Sequence, residues 1–190
     1  MKRVVVFASG SGTNAENLIK FFQNRNEVSV IHVLTNNPQA KVLQRCLGLG
    51  VKTTVFNKED FIENHKVLEI LKSLNPDLVV LAGFLWKIPD EILKEFPNKI
   101  INIHPSLLPK YGGKGMYGKH VHEAVLRNKE PKSGITIHYV NENYDDGAII
   151  FQTHCFIDTL DNAEDIARKI HALEIEHFPK VVESVLFPNG

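Results

Sequence analysis

From Arg3 to Ala8 the chain reads RVVVFA, a continuous apolar run of strand length. It gives way to the small, polar, glycine-rich stretch Ser9 to Asn14 and then to a helical pattern ending near Gln23. This strand, loop and helix unit recurs. Val28 to Leu34 is followed by a helix near Ala40 to Leu49, Lys52 to Phe56 by a helix over Lys58 to Leu74, and Asp77 to Ala82 by a short helix around Pro89 to Phe96. Lys99 to Ile103 adds a fifth strand. Strands that are apolar on both faces and joined by helices belong to a parallel sheet covered on both sides, with right-handed crossovers.

The grammar changes at Ser133. GITIHYV (Gly134 to Val140) and AIIFQTHCF (Ala148 to Phe156) are two strands separated by a polar Asn/Asp/Gly turn, which predicts an antiparallel addition to the sheet. Asp161-Asn162-Ala163-Glu164 then opens a last helix, with Asp161 as N-cap and Glu164 closing a capping-box-like pattern. No linker, repeat or low-complexity segment interrupts the pattern. Residues 1–190 are therefore expected to form one α/β domain, an open and mostly parallel sheet with helices on both faces and an antiparallel C-terminal hairpin.

Composition adds exclusions. Of 190 residues, 43% are hydrophobic and 23% charged, enough for a real core. Lys+Arg and Asp+Glu both number 22, so no net charge draws the chain to nucleic acid or to an anionic membrane. No apolar run is long enough to cross a bilayer, and Met1-Lys2-Arg3 leads straight into a strand, so a cytoplasmic location is expected. Cys46 and Cys155 lie far apart in apolar segments and read as buried free thiols. Nothing in the pattern fixes the oligomeric state; a homodimer is compatible with it.

In such sheets ligands sit beyond the carboxyl ends of the strands, and three polar groups fall there. After the first strand, Ser9 to Asn14 offers backbone N–H groups and a helix N-terminus, the makings of a phosphate cradle without a basic side chain. Gly10-Ser11-Gly12-Thr13-Asn14-Ala15 also satisfies the loose dinucleotide pattern G-x-G-x-x-A. A dinucleotide site usually adds an acid at the end of the second strand, where this chain has Leu34-Thr35-Asn36-Asn37. A single phosphate is thus favoured over a nicotinamide or flavin site, with a plain tight turn still open. In Ile101-Asn102-Ile103-His104, an extended backbone sends Asn102 and His104 to one face, an amide beside an imidazole. That pair suits oxyanion stabilisation and proton transfer, although a strand-end histidine also serves structure by bonding a carbonyl. Pro105 and Pro109 stiffen the loop behind it. In the turn NENYDDG (Asn141 to Gly147), either Asp145 or Asp146 could reach His104 and fix its orientation and charge, or both are simple turn formers. His120 and His122 diverge on a helix and have no third ligand nearby, so they read as surface residues rather than a metal pair.

The stretch Asn102-Ile103-His104-Pro105-Ser106-Leu107-Leu108-Pro109 resembles the signature of the folate-dependent formyltransferases. The resemblance extends to VVVFASGSGTN, to Leu81-Ala82-Gly83-Phe84, to the SGITIHYV and DDGAIIFQ strands and to the final helix with Glu174. It is nearest to the branch acting on glycinamide ribonucleotide in purine biosynthesis. Relatives acting on methionyl-tRNA carry a second C-terminal domain and those hydrolysing formyltetrahydrofolate an N-terminal regulatory one, and this length is expected to hold neither. The resemblance implies a Rossmann-like fold and transfer of a formyl group from 10-formyltetrahydrofolate, without metal, to the glycine amine of a phosphoribosyl glycinamide. By motif match it assigns catalysis to Asn102, His104 and Asp145, the last because the family carboxylate stands two places before the second turn glycine, Gly147. Gly12, Thr13 and Asn14 match the loop holding the substrate phosphate, and Glu174 a residue at the ribonucleotide. Leu85, Trp86, Lys87 and Ile88 match the folate-binding segment, partly through backbone contacts, and Asn102 is assigned to folate binding as well as to catalysis.

Two departures stand out. Where relatives read GFMRIL this chain reads Gly83-Phe84-Leu85-Trp86-Lys87-Ile88, so Trp86 replaces an arginine expected at the folate tail. Tyr111 to Gly118 is longer and richer in glycine than the usual form and is expected to be a flap beside the folate site.

Overall fold

The computed structural model describes residues 1–188. Seven strands, β1 (Lys2–Phe7), β2 (Val28–Thr35), β3 (Lys52–Val55), β4 (Leu78–Leu81), β5 (Ile100–His104), β6 (Lys132–Tyr139) and β7 (Ile149–Phe156), form one sheet in the order β3-β2-β1-β4-β5-β6-β7. The first five run parallel, and β6 and β7 add antiparallel to β5 and β6. This is the open, mostly parallel sheet with an antiparallel hairpin that the pattern predicts. Seven helices connect and cover it: α1 (Thr13–Gln23), α2 (Val42–Gly48), α3 (Lys58–Ile62), α4 (Lys66–Leu74), α5 (Asp90–Glu95), α6 (Lys119–Arg127) and α7 (Ala163–Leu186).

Both faces of β1 are buried because successive side chains enter opposite layers. Val4 and Val6 join Leu18, Phe22, Ile170 and Phe178 on the side of α1 and α7, while Val5 and Phe7 join Phe61, Leu71 and Ile92 on the other. β1, β4 and β5 are neighbours and parallel, so the loops leaving Phe7, Leu81 and His104 emerge side by side. The strand order reverses direction at β1, which opens a crevice above these ends.

Three local expectations are corrected. The single helix over Lys58 to Leu74 is two, broken at residues 63–65, where His65 has φ 52°. Phe61, Val67 and Leu71 are all buried, yet six residues on a continuous helix would carry Val67 well away from Phe61's face; the break resets the phase. The cap of α7 lies one residue later than expected. Asn162 Oδ1 accepts from the backbone N–H groups of Glu164 (2.8 Å) and Asp165 (3.1 Å), and Asp165 Oδ2 accepts from the Asn162 N–H at 2.9 Å. Asp161 is occupied with the Lys169 ammonium at 2.6 Å. Cys46 is fully buried, but Cys155 on the edge strand is only half-buried. Burial pushes the Cys46 thiol up to about 11. Helix α7 also runs through Pro179. Proline has no N–H for the carbonyl of Ile175, and Asn17 Nδ2 of α1 donates to that carbonyl instead, at 3.0 Å.

Candidate active site

The phosphate-loop candidate is held from below by α2. Val42 N–H donates to the Gly10 carbonyl and Arg45 Nε to the Ser11 carbonyl, at 3.3 and 2.8 Å, and Arg45 also pairs with Glu16. Gly12 is the N-cap of α1 with φ 72°, and a Cβ there would lie 2.4 Å from the Val42 Cβ. Only glycine fits. Where a dinucleotide site would need an acid after β2, Asn37 Nδ2 donates to the Ser9 carbonyl at 3.3 Å.

Gly12, Thr13 and Asn14 line one side of a cleft of about 620 Å³. Glu174 of α7 faces them and accepts from Asn14 Nδ2 (3.0 Å) and His171 Nδ1 (3.3 Å). Bonding to Glu174 raises the His171 pKa above the usual imidazole range. His122 belongs here too, against expectation: α6 turns it inward with Val121 and Val125, and it lines the cleft at 6% exposure. His120 stays exposed, as expected. Burial lowers the His122 pKa, with Glu174 opposing. His122 Nδ1 and Asn14 Oδ1 are both buried and have no partner among the described residues. Two orphaned polar atoms beside one carboxylate call for a ligand with hydroxyl groups.

At the other end, β5 presents Asn102 and His104 to one face, as its alternation predicts. Asp145, with φ 53° in the β6–β7 turn, brings its carboxylate between them. Its Oδ1 lies 3.4 Å from Asn102 Nδ2 and 3.5 Å from His104 Nδ1, and its Oδ2 accepts from the Gly113 N–H at 2.8 Å. Asp146 instead accepts from Asn143. Of the two turn acids, Asp145 is the one that meets the imidazole. Burial lowers the His104 pKa, while Asp145 and the Tyr111 carbonyl, 2.7 Å from Nε2, pull it upward. Burial also pushes the Asp145 carboxyl up, but its neighbours, among them the His104 ring and the Gly113 N–H, outweigh it and leave it below the ordinary range. The loop behind this pair is pinned by Thr136, whose Oγ1 accepts from the Leu108 N–H (3.0 Å) and donates to the Ser106 carbonyl (2.7 Å); the Leu108–Pro109 peptide is cis.

Phe84, Asn102, Tyr144 and Asp145 also line a second, shallow recess of about 60 Å³, together with Trp86, Lys87 and Ile88. Leu85 points to the larger cleft instead, its N–H donating to Ser9 Oγ at 3.1 Å. Trp86 leans on Phe56 and Phe61 with ring centres 6.0 and 5.9 Å apart, so its indole is anchored in the core beneath the recess. Gly113 to Gly118 of the expected flap lie over the larger cleft. His138 is a site residue the sequence reading missed. Register places it directly opposite Asn102, and the alternation of Ile135 and Ile137 with Thr136 and His138 carries the signal.

A seven-stranded sheet of this order, with an amide, an imidazole and a carboxylate at the β5 end, defines a class. The formyl transferase family pattern matches residues 2–182, and the chain belongs to that family of enzymes. Within it, the chain is 35% identical to phosphoribosylglycinamide formyltransferase of Bacillus subtilis, over all of this chain and 97% of that protein. It is 34% identical to the chloroplastic phosphoribosylglycinamide formyltransferase of Arabidopsis thaliana, covering 97% of this chain but only 65% of that protein. The crystal structure of phosphoribosylglycinamide formyltransferase from Bacillus halodurans superposes with a TM-score of 0.89 at 33% identity, over all of this chain and 97% of that one. Among the described residues, no helix is long and apolar enough to cross a membrane.

Proposed function

We propose that this protein transfers the formyl group of 10-formyltetrahydrofolate to the glycine amine of N1-(5-phospho-β-D-ribosyl)glycinamide, a step of purine (IMP) biosynthesis. The observation that carries the proposal is the meeting of two cavities at Asn102 and Asp145, one running back to a backbone phosphate cradle. The phosphate sits on the N–H groups at Gly12, Thr13 and Asn14, and the ribose hydroxyls complete Glu174, His122 and Asn14. The amine then arrives at Asn102. The folate enters by the recess at Trp86, Lys87 and Ile88, with Leu85 on the side of the larger cleft. Residues 1–190 act as one formyltransferase domain, and two unpaired thiols suit a reducing compartment such as the cytoplasm.

The neutral amine attacks the formyl carbon; a C–N bond forms and the carbonyl electrons move to oxygen. The Asn102 amide and the His104 imidazole hold this oxyanion, whose negative charge favours the imidazolium that burial otherwise disfavours, and Asp145 supports that positive charge. A proton passes from the new ammonium by way of Asp145 to the folate N10, the bond from N10 to the formyl carbon breaks, and the carbonyl reforms. Orientation of two bound substrates supplies much of the rate.

An absorbance assay with 10-formyldideazafolate, with and without glycinamide ribonucleotide, tests the reading. Formyl transfer that requires the acceptor supports it. Donor cleavage without acceptor makes the protein a hydrolase instead, and binding without turnover makes it a phosphometabolite-binding domain.

A further inference from the structure

His138 is almost completely buried on β6, 2% exposed, at the wall of the second recess. Nδ1 lies 2.9 Å from the carbonyl oxygen of Tyr139. A carbonyl only accepts, so this nitrogen carries the proton. In the neutral ring Nε2 is then a lone pair, and it lies 3.1 Å from Asn102 Nδ2. Its approach to Asp145 Oδ1, 3.7 Å, is too long for a hydrogen bond. The Asn102 amide is thus flanked by two acceptors, the His138 lone pair and the Asp145 carboxylate, and only its NH2 end can face them. Turned over, its carbonyl oxygen would oppose both.

We infer that His138 is a positioning residue that fixes which end of the Asn102 amide enters the site, through a tautomer set by the Tyr139 carbonyl. The inference rests on the formyl transfer proposed above. One hydrogen of the Asn102 NH2 is held by His138 Nε2, and the other makes the looser 3.4 Å contact to Asp145, which it exchanges for a hydrogen bond to the developing oxyanion. The device reaches back to the turn. A Cβ at Gly147 would fall 1.7 Å from the Tyr139 oxygen, so the glycine leaves this carbonyl free to meet His138. The same residue therefore explains why a strand-end asparagine can act as a dependable donor rather than a rotamer with two faces.

A ¹⁵N-resolved imidazole spectrum of the wild-type protein in alkaline solution reads the tautomer without any variant: Nδ1–H is expected, and Nε2–H overturns the inference. Kinetics read the consequence. His138→Leu is expected to lower kcat by roughly a hundredfold with little change in either KM, whereas His138→Gln, whose amide oxygen can replace the lone pair, recovers to within about tenfold of wild type. In an Asn102→Ala background His138→Leu should add no more than about a twofold loss, because the two residues act as one unit. Independent, fully multiplying losses, or no recovery in a folded His138→Gln, overturn it. If the wild-type protein itself transfers no formyl group to glycinamide ribonucleotide, the proposed reaction fails while the spectrum still decides the tautomer.

Discussion

At the Gly12 end of the cleft the chain offers main-chain N–H groups, stiffened by contacts from α2; at the β5 end it offers the side chains of Asn102, His104 and Asp145, stiffened by one another. The first end depends on the path of the backbone and is nearly indifferent to what hangs from it. The second depends on atoms at the tips of side chains and is indifferent to small changes in backbone. Anchoring and reacting thus fail under different substitutions, and each can be broken alone.

The largest effect should come at the reacting end. Asn102→Ala and His104→Ala are each expected to cut kcat by about a hundredfold or more, with KM for the ribonucleotide little changed; a loss of tenfold or less would remove either residue from its role. Next, Gly12→Ala should reverse that signature. Its Cβ meets Val42 and its backbone is strained at φ 72°, so calorimetric affinity for the ribonucleotide should fall by tenfold or more and stability by about 1–3 kcal/mol, with turnover at saturation largely kept.

The two ends also titrate in opposite directions. His104 has a folded pKa below the ordinary 6.5, so it contributes stability that is present above pH 6.5 and lost as pH falls through the folded value. His171 has a folded pKa above 6.5, so its contribution is present below pH 6.5 and lost as pH rises through the folded value. Denaturant unfolding across the pH range should show His104→Gln flattening the acid limb and His171→Gln the alkaline limb; an unchanged limb in either variant would break the contrast. Smallest of all is Thr13→Ala, which leaves the main-chain cradle whole. Less than a threefold change in KM is expected, and a larger one would mean that the hydroxyl, not the backbone, carries the phosphate.

Much of this was legible beforehand because parallel strands buried on both faces spell themselves as runs such as VVVF and LVVL, and because Asn102 and His104 share one side of a strand by alternation. What escaped depended on partners far away in sequence. His138 matters through its register opposite Asn102, and His122 is turned inward by the docking of α6 on α7, beside Glu174. The break before α4 is set by which residues must reach the core together, and the cap of α7 by two equally good candidates, Asp161 and Asn162, of which the lysine ammonium took one.

The missing rung at Pro179 leaves one carbonyl of the continuous helix α7 free for a neighbouring helix to hold. Asn17 rivets it to α1 at Ile175, one residue past Glu174, while Asn14 on the same α1 touches Glu174 itself. The stretch of α7 that meets Asn14 is therefore braced within a single turn of Glu174, while Val181, Val182 and Leu186 past the proline stay packed in the core.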